Sequence, residues 1–336
     1  MKKKLIALFL PLFCCIVVYS QEVAPAVNPP ASLFYPGELR IPVNKLALKG
    51  KELEGEQLFS QELQLDVDLW EKIYAELPST YSGKILDIDL ARKLFPPFDD
   101  GLLGANKYSV STHVPAGQFI NYVLNDDIDK ISSTKSHPEI IFVAGGGGSG
   151  KSLILDLLPN EFERADLMLD GTLSNAAKAR DRINRSLDAG FKVTIIYVFR
   201  PIELAVQGIV SRALKMGRGV PILIAAEDHF DAQRTVLDLS KEFVNKINIL
   251  IISNAGGLDD VKVLSIEDLE GLLDQKNFRY QSKDEIMMRA VIAYLDYIKK
   301  LSPELKRKLN PDLRAVLEKG MENFSAKAVE GQSELR

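Results

Sequence analysis

The run Gly145-Gly146-Gly147-Gly148-Ser149-Gly150-Lys151-Ser152 has the spacing G-x-x-x-x-G-K-S. The β-prone Ile140-Ile141-Phe142-Val143-Ala144 precedes it, and Leu153, Ile154, Leu155 and Leu157 come after it at helical spacing. The order is strand, phosphate loop, helix. Backbone N–H groups can curl around phosphate oxygens only where no Cβ obstructs them, which is what the glycines allow. In such a loop Lys151 reaches the β- and γ-phosphates, and the Ser152 hydroxyl sits on Mg²⁺. The helix starting there adds its dipole and free N–H groups to the anion site. A glycine-rich linker is the bland alternative, and it has no need of Lys-Ser at a helix start. The ligand this pattern predicts is ATP or GTP with Mg²⁺.

Other chemistry-bearing residues gather at the ends of strand-like segments. Asp170 closes Ala165-Asp166-Leu167-Met168-Leu169 and is followed by Gly171-Thr172. In a parallel sheet that position borders the ligand crevice, so Asp170 can act on Mg²⁺ through water or on a second substrate. It can equally cap a helix starting near Ser174. Arg212 and Arg218 are six residues apart, the second inside Gly217-Arg218-Gly219-Val220-Pro221. Guanidinium forks match phosphoryl oxygens well, so the pair reads as a flexible clamp or as solvated surface charge. His229, in Glu227-Asp228-His229-Phe230, reads as opening a helix, and a lone histidine is more often structural than catalytic. With His113 and His137 as the remaining histidines, no metal-site spacing appears. A proton acceptor for a hydroxyl substrate is sought in Asp87-Ile88-Asp89, whose carboxylates share a face if the strand continues and separate if it turns. Both can equally be helix caps.

These residues need an α/β scaffold. Strand candidates at 139–144, 166–170, 192–198 and 247–253 alternate with amphipathic helices, which predicts a parallel sheet with helices on both faces. Residues 46–135 read as a mostly helical N-terminal region: a helical stretch over 45–77, the strand-like 84–89, and a helix over 115–124. Residues 136–275 form the phosphate-loop core, and 276–336 a helical extension with segments near 284–300 and 303–322. Residues 21–45, with five prolines, read as a linker. Lys2, Lys3 and Lys4 before the apolar run Leu5–Val18 have the pattern of a signal peptide cut before Gln21, and so of an exported chain. An uncleaved anchor is the alternative, although the run is short for a membrane span. Cys14 and Cys15 both fall in that run, so no disulfide or thiol chemistry is expected beyond it. A net charge of −4 argues against a general nucleic-acid binder.

Several of these pieces, in this order, resemble the zeta toxin family of P-loop kinases. They are Gly145–Ser152, Asp170-Gly171-Thr172-Leu173 (the family usually has Glu-Gly-Thr), Ala189-Gly190-Phe191-Lys192-Val193, Arg200-Pro201, Arg212, the Gly217–Pro221 loop and His229. The resemblance runs from 140 to about 257. The family normally places an Asp-x-Asp strand end, with a nearby Arg and Pro, between the phosphate-loop helix and the Glu-Gly-Thr strand. Here seventeen residues separate Ser152 from Asp170, too few for that block. A similar block, Asp87-Ile88-Asp89-Leu90-Ala91-Arg92 with Pro96-Pro97, precedes the loop instead. The segment His113-Val114-Pro115-Ala116 and its helix resemble the next piece of the family pattern after that block. A circularly permuted arrangement accounts for this, and it requires residues 84–89 to lie in the sheet beside 139–144.

On that resemblance Lys151, Asp89, Arg212 and Arg218 are the catalytic set, with Asp89 the proton acceptor and the arginines on the transferred phosphoryl. Asp170, Thr172, Arg92 and His229 stand on the substrate side. The implied reaction is ATP-dependent phosphorylation of UDP-N-acetylglucosamine, and the implied macromolecular partner is an antitoxin or inhibitory protein. Asp170 is one methylene shorter than Glu, so the same contact needs a shift of strand or substrate. The competing reading is an exported nucleotide-binding or interaction protein on a non-catalytic kinase fold, expected if Asp89 points away from the phosphate loop. Export also conflicts with a cytoplasmic supply of ATP, unless the chain acts inside another cell. The stretch 45–77 could cover the nucleotide crevice, or simply be a packing face.

Overall fold

The computed structural model describes residues 39, 48, 50–155, 158–256, 261–274, 280–322 and 324. The expected signal segment, the proline-rich stretch apart from Leu39, Leu157 of the phosphate-loop helix and the tail after Phe324 lie outside the described residues. The described residues belong to one compact unit, Leu39–Arg336.

Six strands form one sheet: β1 Ile85–Asp87, β2 Glu139–Ala144, β3 Leu167–Asp170, β4 Lys192–Phe199, β5 Asn248–Ser253 and β6 Lys262–Leu264. Their order is β1-β3-β2-β4-β5-β6. The first five are parallel and β6 is antiparallel to β5. The central strands are continuously apolar because both faces are covered. Ile140, Phe142 and Ala144 enter one core with Phe119, Ile120 and Leu124 of helix His113–Thr134 and Ile183 of helix Ala176–Asp188. Ile141 and Val143, alternating to the other face, meet Met168, Ile196, Leu158 and Phe162. Helices Ile202–Met216 and Ile222–Glu242 share a third core with the C-terminal helices Lys283–Lys300 and Pro311–Leu317. Among the described residues, no helix is long and apolar enough to cross a membrane.

The strand candidates within 139–253 stand within a residue of their expected ends. Other expectations are corrected. The stretch 45–77 is two helices, Lys51–Leu65 and Val67–Ala75, broken at Asp66, whose carboxylate caps the second by accepting from Leu69 N at 3.0 Å. The helix expected over 115–124 runs from His113 to Thr134, since Pro115 falls in its first turn, where a missing N–H costs nothing. His229 lies well inside helix Ile222–Glu242 instead of opening it, because the helix starts directly after Pro221. The three-residue β6 carries too little pattern to be read from sequence.

The most consequential correction concerns the acidic block. Residues 85–87 do join the sheet, but beside β3, which separates them from β2. The adjacency that the permuted arrangement requires is therefore absent, and the claim of Asp89 to the site stands on its contacts alone. Strand β1 stops at Asp87 because its carboxylate accepts from Asp89 N at 2.6 Å and turns the chain into the short helix Ile88–Ala91. Asp87 and Asp89 thus leave the strand in different directions.

Tyr74 fixes this edge strand. Its hydroxyl donates to Ile85 O and accepts from Asp87 N, each at 2.8 Å. Replacing Tyr74 with Phe orphans both backbone groups, and the expected loss is about 1–3 kcal/mol in urea unfolding. An unchanged midpoint would show that the ladder to β3 holds β1 without the phenol.

Candidate active site

The phosphate loop is held from behind at three successive carbonyls. His229 Nε2 donates to Gly147 O at 2.8 Å, Arg200 Nη1 to Gly148 O at 3.0 Å, and Asn254 Nδ2 to Ser149 O at 2.9 Å. A trans peptide aims its N–H opposite to its carbonyl, so anchoring these oxygens turns the amides toward the loop's interior. Two glycines make the approach possible. A Cβ on Gly146 would overlap the His229 ring, and one on Gly148, at φ +76°, would run into the Ala205 carbonyl. Burial lowers the His229 pKa to about 4, against the pull of the Gly147 carbonyl, so the ring is neutral with its proton on Nε2. His229 therefore contacts the loop's rear, whereas the sequence reading placed it on the substrate side.

Parallel register lines up the strand ends. Asp170 of β3 stands opposite Asp87 of β1 and Val143 of β2. Lys151 Nζ donates to Gly145 O at 2.9 Å and lies 4.0 Å from Asp170 Oδ1. Burial raises the Asp170 pKa, and Lys151 opposes it. Gly145 N donates to Thr172 O and Gly171 N to Val143 O, both at 3.2 Å, so loop and Asp-Gly-Thr turn move together. The Thr172 and Ser174 hydroxyls are 2.8 Å apart, brought together by Leu173 in a left-handed conformation, φ +52°.

On the far side of Asp170 lies the acidic turn. Asp89 accepts from Arg92 Nη1 at 3.1 Å through Oδ1, and from Arg218 Nη2 through Oδ2. Burial disfavours its charge, but Arg218, Arg92 and Arg212 outweigh burial and hold Asp89 below the usual carboxylate range. Asp87, buried beside Asp89 and Asp170, is pushed up to about 7. Arg92 is buried and meets His113 Nδ1 at 2.8 Å. His113 is lowered to about 4 by burial and by Arg92, so its Nδ1 accepts. Arg212 forms no ion pair among the described residues, and its charge acts on Asp89 and Asp170. The Arg218 loop is braced at Gly219, whose carbonyl accepts from Ser109 Oγ at 2.8 Å and whose α-carbon packs against Val316.

Lys151, Asp89, Arg212 and Arg218 thus all act on Asp170, and the structure brings them to one edge. Arg92 sits behind Asp89, and Thr172 borders the loop. Ser152 is exposed at the start of helix Lys151–Leu155, an oxygen donor of the kind Mg²⁺ takes beside nucleotide phosphates. Sequence reasoning missed Asn254, Ser109 and His113 as site residues and used Arg200 only as part of a motif. Arg200 and Asn254 directly follow β4 and β5, so strand ends were the signal available.

Residues 162–260 match the family model described as Zeta toxin. Over that segment the chain is similar to zeta toxins. The match covers Asp170, Thr172, Arg200, Arg212, Arg218, His229 and Asn254, and begins after the phosphate loop and the acidic turn. With an intact Lys151-Ser152 ahead of it, it supports a P-loop phosphotransferase whose acceptor is open. No curated protein matches the chain. Among solved structures, the AvrRxo1-ORF1:AvrRxo1-ORF2 complex with sulphate ions aligns at 12% identity and TM-score 0.38, over 62% of this chain and 89% of that one. The AvrRxo1-ORF1:-ORF2 structure with ATP aligns at 12% identity and TM-score 0.38, over 68% of this chain and 94% of that one.

The neutral His229 behind the phosphate loop has a signature in pH. Its folded pKa of about 4 lies below the ordinary 6.5, so its contribution is complete above 6.5 and drains away as pH falls toward 4. Asp87, raised from 3.8 to about 7, titrates with the opposite sign, so a difference measurement is needed. His229→Gln keeps an N–H donor without the titration. Its urea midpoint is expected to fall less steeply than the parent's between these pH values, and parallel curves would refute a neutral buried imidazole.

Proposed function

We propose that this chain transfers the γ-phosphoryl group of ATP to a hydroxyl of a small sugar nucleotide, with UDP-N-acetylglucosamine the first acceptor to test. One observation carries the reading: Asp170 lies between the phosphate-loop lysine and an acidic turn bound by arginine, at aligned strand ends. That row is what in-line transfer needs, with the nucleotide on one side and an acceptor on the other. Lys151 draws charge from the β- and γ-oxygens. Arg212 and Arg218 take up charge on the transferred group. Asp170 and Thr172 orient the acceptor, and the Asp87–Asp89 turn receives its proton. Mg²⁺, held with the nucleotide by Ser152, would neutralise phosphate charge.

An inhibitory protein covering this edge is the partner that the zeta toxin likeness supports. Export through the N-terminal segment fits a chain that meets its ATP inside a recipient cell. The non-catalytic reading loses ground because Asp89 pairs with Arg218, and both act on Asp170, which also neighbours Lys151.

The test is turnover of ATP with Mg²⁺ and UDP-N-acetylglucosamine, with products read by ³¹P NMR. A new phosphomonoester is expected, with Lys151→Ala inactive and Arg212→Ala down about 1,000-fold or more in kcat. Tight ATP binding without a phosphomonoester from any sugar nucleotide would favour the non-catalytic reading.

A further inference from the structure

We infer that the turn 108–112 and the first residue of helix His113–Thr134 position both guanidinium groups that meet Asp89. Ser109 acts through the Arg218 loop and His113 through Arg92. This rests on the kinase reading above and names residues that steady its arginine clamp from behind.

The two arginines come to Asp89 from different parts of the chain, Arg92 to Oδ1 and Arg218 to Oδ2. Each is held by the same short segment. Ser109 Oγ donates to the carbonyl of Gly219, the residue after Arg218, at 2.8 Å, and His113 Nδ1 accepts from Arg92 Nη2 at 2.8 Å. The segment is a stiff spacer. Ser109, Ser111 and Thr112 are all buried, where a hydroxyl is costly unless it has a partner. Ser111 Oγ and Thr112 Oγ1 donate to Tyr108 O at 3.3 and 2.7 Å and close the turn on itself. The Tyr108 ring meets Phe95 edge to face. The Ser109 hydroxyl instead crosses to another element. Apolar side chains would fill the same volume without needing partners, so that crossing hydroxyl is there for position.

The loop it reaches has little freedom left. Helix Ile202–Met216 ends at Gly217, whose N–H donates to Ala213 O at 2.8 Å, and the next helix starts directly after Pro221. A Cβ on Gly219 would come within 2.9 Å of Val316 Cγ1 and 3.2 Å of Leu313 Cδ1, both in helix Pro311–Leu317. Ser109 and Val316 lie outside residues 162–260, so this brace is no part of the family match. With the backbone pinned beside Arg218, its side chain can pass from Asp89 to a phosphoryl group about a fixed pivot, and Asp89 is freed to receive a proton. Charge on the transferred group develops only in the transition state, so an arginine whose pivot drifts lowers kcat and leaves nucleotide binding alone. Ser109 and His113 are thus positioning residues.

The full chain carrying Ser109→Ala, Arg218→Ala or both tests this with ATP, Mg²⁺ and UDP-N-acetylglucosamine, beside urea unfolding of each variant. Ser109→Ala should lower kcat about 100-fold with KM for ATP unchanged. In the Arg218→Ala background it should lower kcat no further, whereas a general loss of packing would act alike in both backgrounds. Gly219 is outside the left-handed region, so Gly219→Ala meets only the Val316 wall. It should lower kcat, and Val316→Ala in the same chain should restore most of the loss. His113→Asn, which keeps an acceptor for Arg92, should retain kcat that His113→Leu loses. Equal losses from Ser109→Ala with and without Arg218, or parent-like kcat in Ser109→Ala or in His113→Leu, overturn the assignment while leaving a kinase in place. If Ser109→Ala does not fold, the Gly219 pair decides, and parent-like kcat in Gly219→Ala overturns it. A parent chain that turns over no ATP with this sugar nucleotide or with water removes the kinase reading and this assignment with it.

Discussion

A peptide unit cannot aim its carbonyl and its N–H in the same direction, and the nucleotide site depends on that constraint. A glycine-rich loop by itself samples many shapes, and few of them point every amide inward. Here His229, Arg200 and Asn254 select one shape by taking the carbonyls of Gly147, Gly148 and Ser149. The donors come from a helix and from the ends of β4 and β5, so the loop inherits the rigidity of the sheet. The glycines then have two functions. They leave room for phosphate in front, and they let a histidine ring and a backbone carbonyl close in behind.

The acidic edge beside the phosphate loop rests on electrostatics. Carboxylates Asp87, Asp89 and Asp170 crowd one edge, and they do so beside Lys151, Arg92, Arg212 and Arg218. The distribution of partners sorts them. Asp89, with guanidinium groups on both oxygens, stays ionised, while burial raises both Asp87 and Asp170, helped by Asp89 beside each and, for Asp87, by Asp170. Triphosphate oxygens would compete with Asp89 for Arg218, so the arginine loop must exchange partners as substrate arrives. That loop is not free to wander: Ser109 and Val316 hold Gly219, which ties the clamp to both the N-terminal helical region and the C-terminal helices. The C-terminal helices share a core with the helices flanking β4 and thereby support the arginines.

Local pattern determined much of this protein by itself. Continuous apolar runs mark β2 and β4 because both sheet faces are buried, and G-x-x-x-x-G-K-S names its ligand because the backbone geometry it permits has few other uses. Asp170 was legible as a candidate for a related reason: in a parallel sheet, ligands gather where strands end, and strand ends can be read. Arg212 and Arg218 were read instead from residue type and a glycine-flanked loop, in and just after helix Ile202–Met216. The order of the strands is another matter. Nothing local in Ile85-Leu86-Asp87 distinguishes a neighbour of β3 from a neighbour of β2, since pairing depends on which edge is left open by the rest of the sheet. The direction taken after Asp87 was likewise decided by a side-chain cap and a tyrosine eleven or more residues away. Whether His229 meets substrate or braces a loop was settled by burial against Gly146, a contact across more than eighty residues. Residue type and spacing determine which chemistry is available, because they act through neighbours in the chain. Which carboxylate is free, which is paired and which histidine is neutral belong to the tertiary structure, because charge and burial act through space.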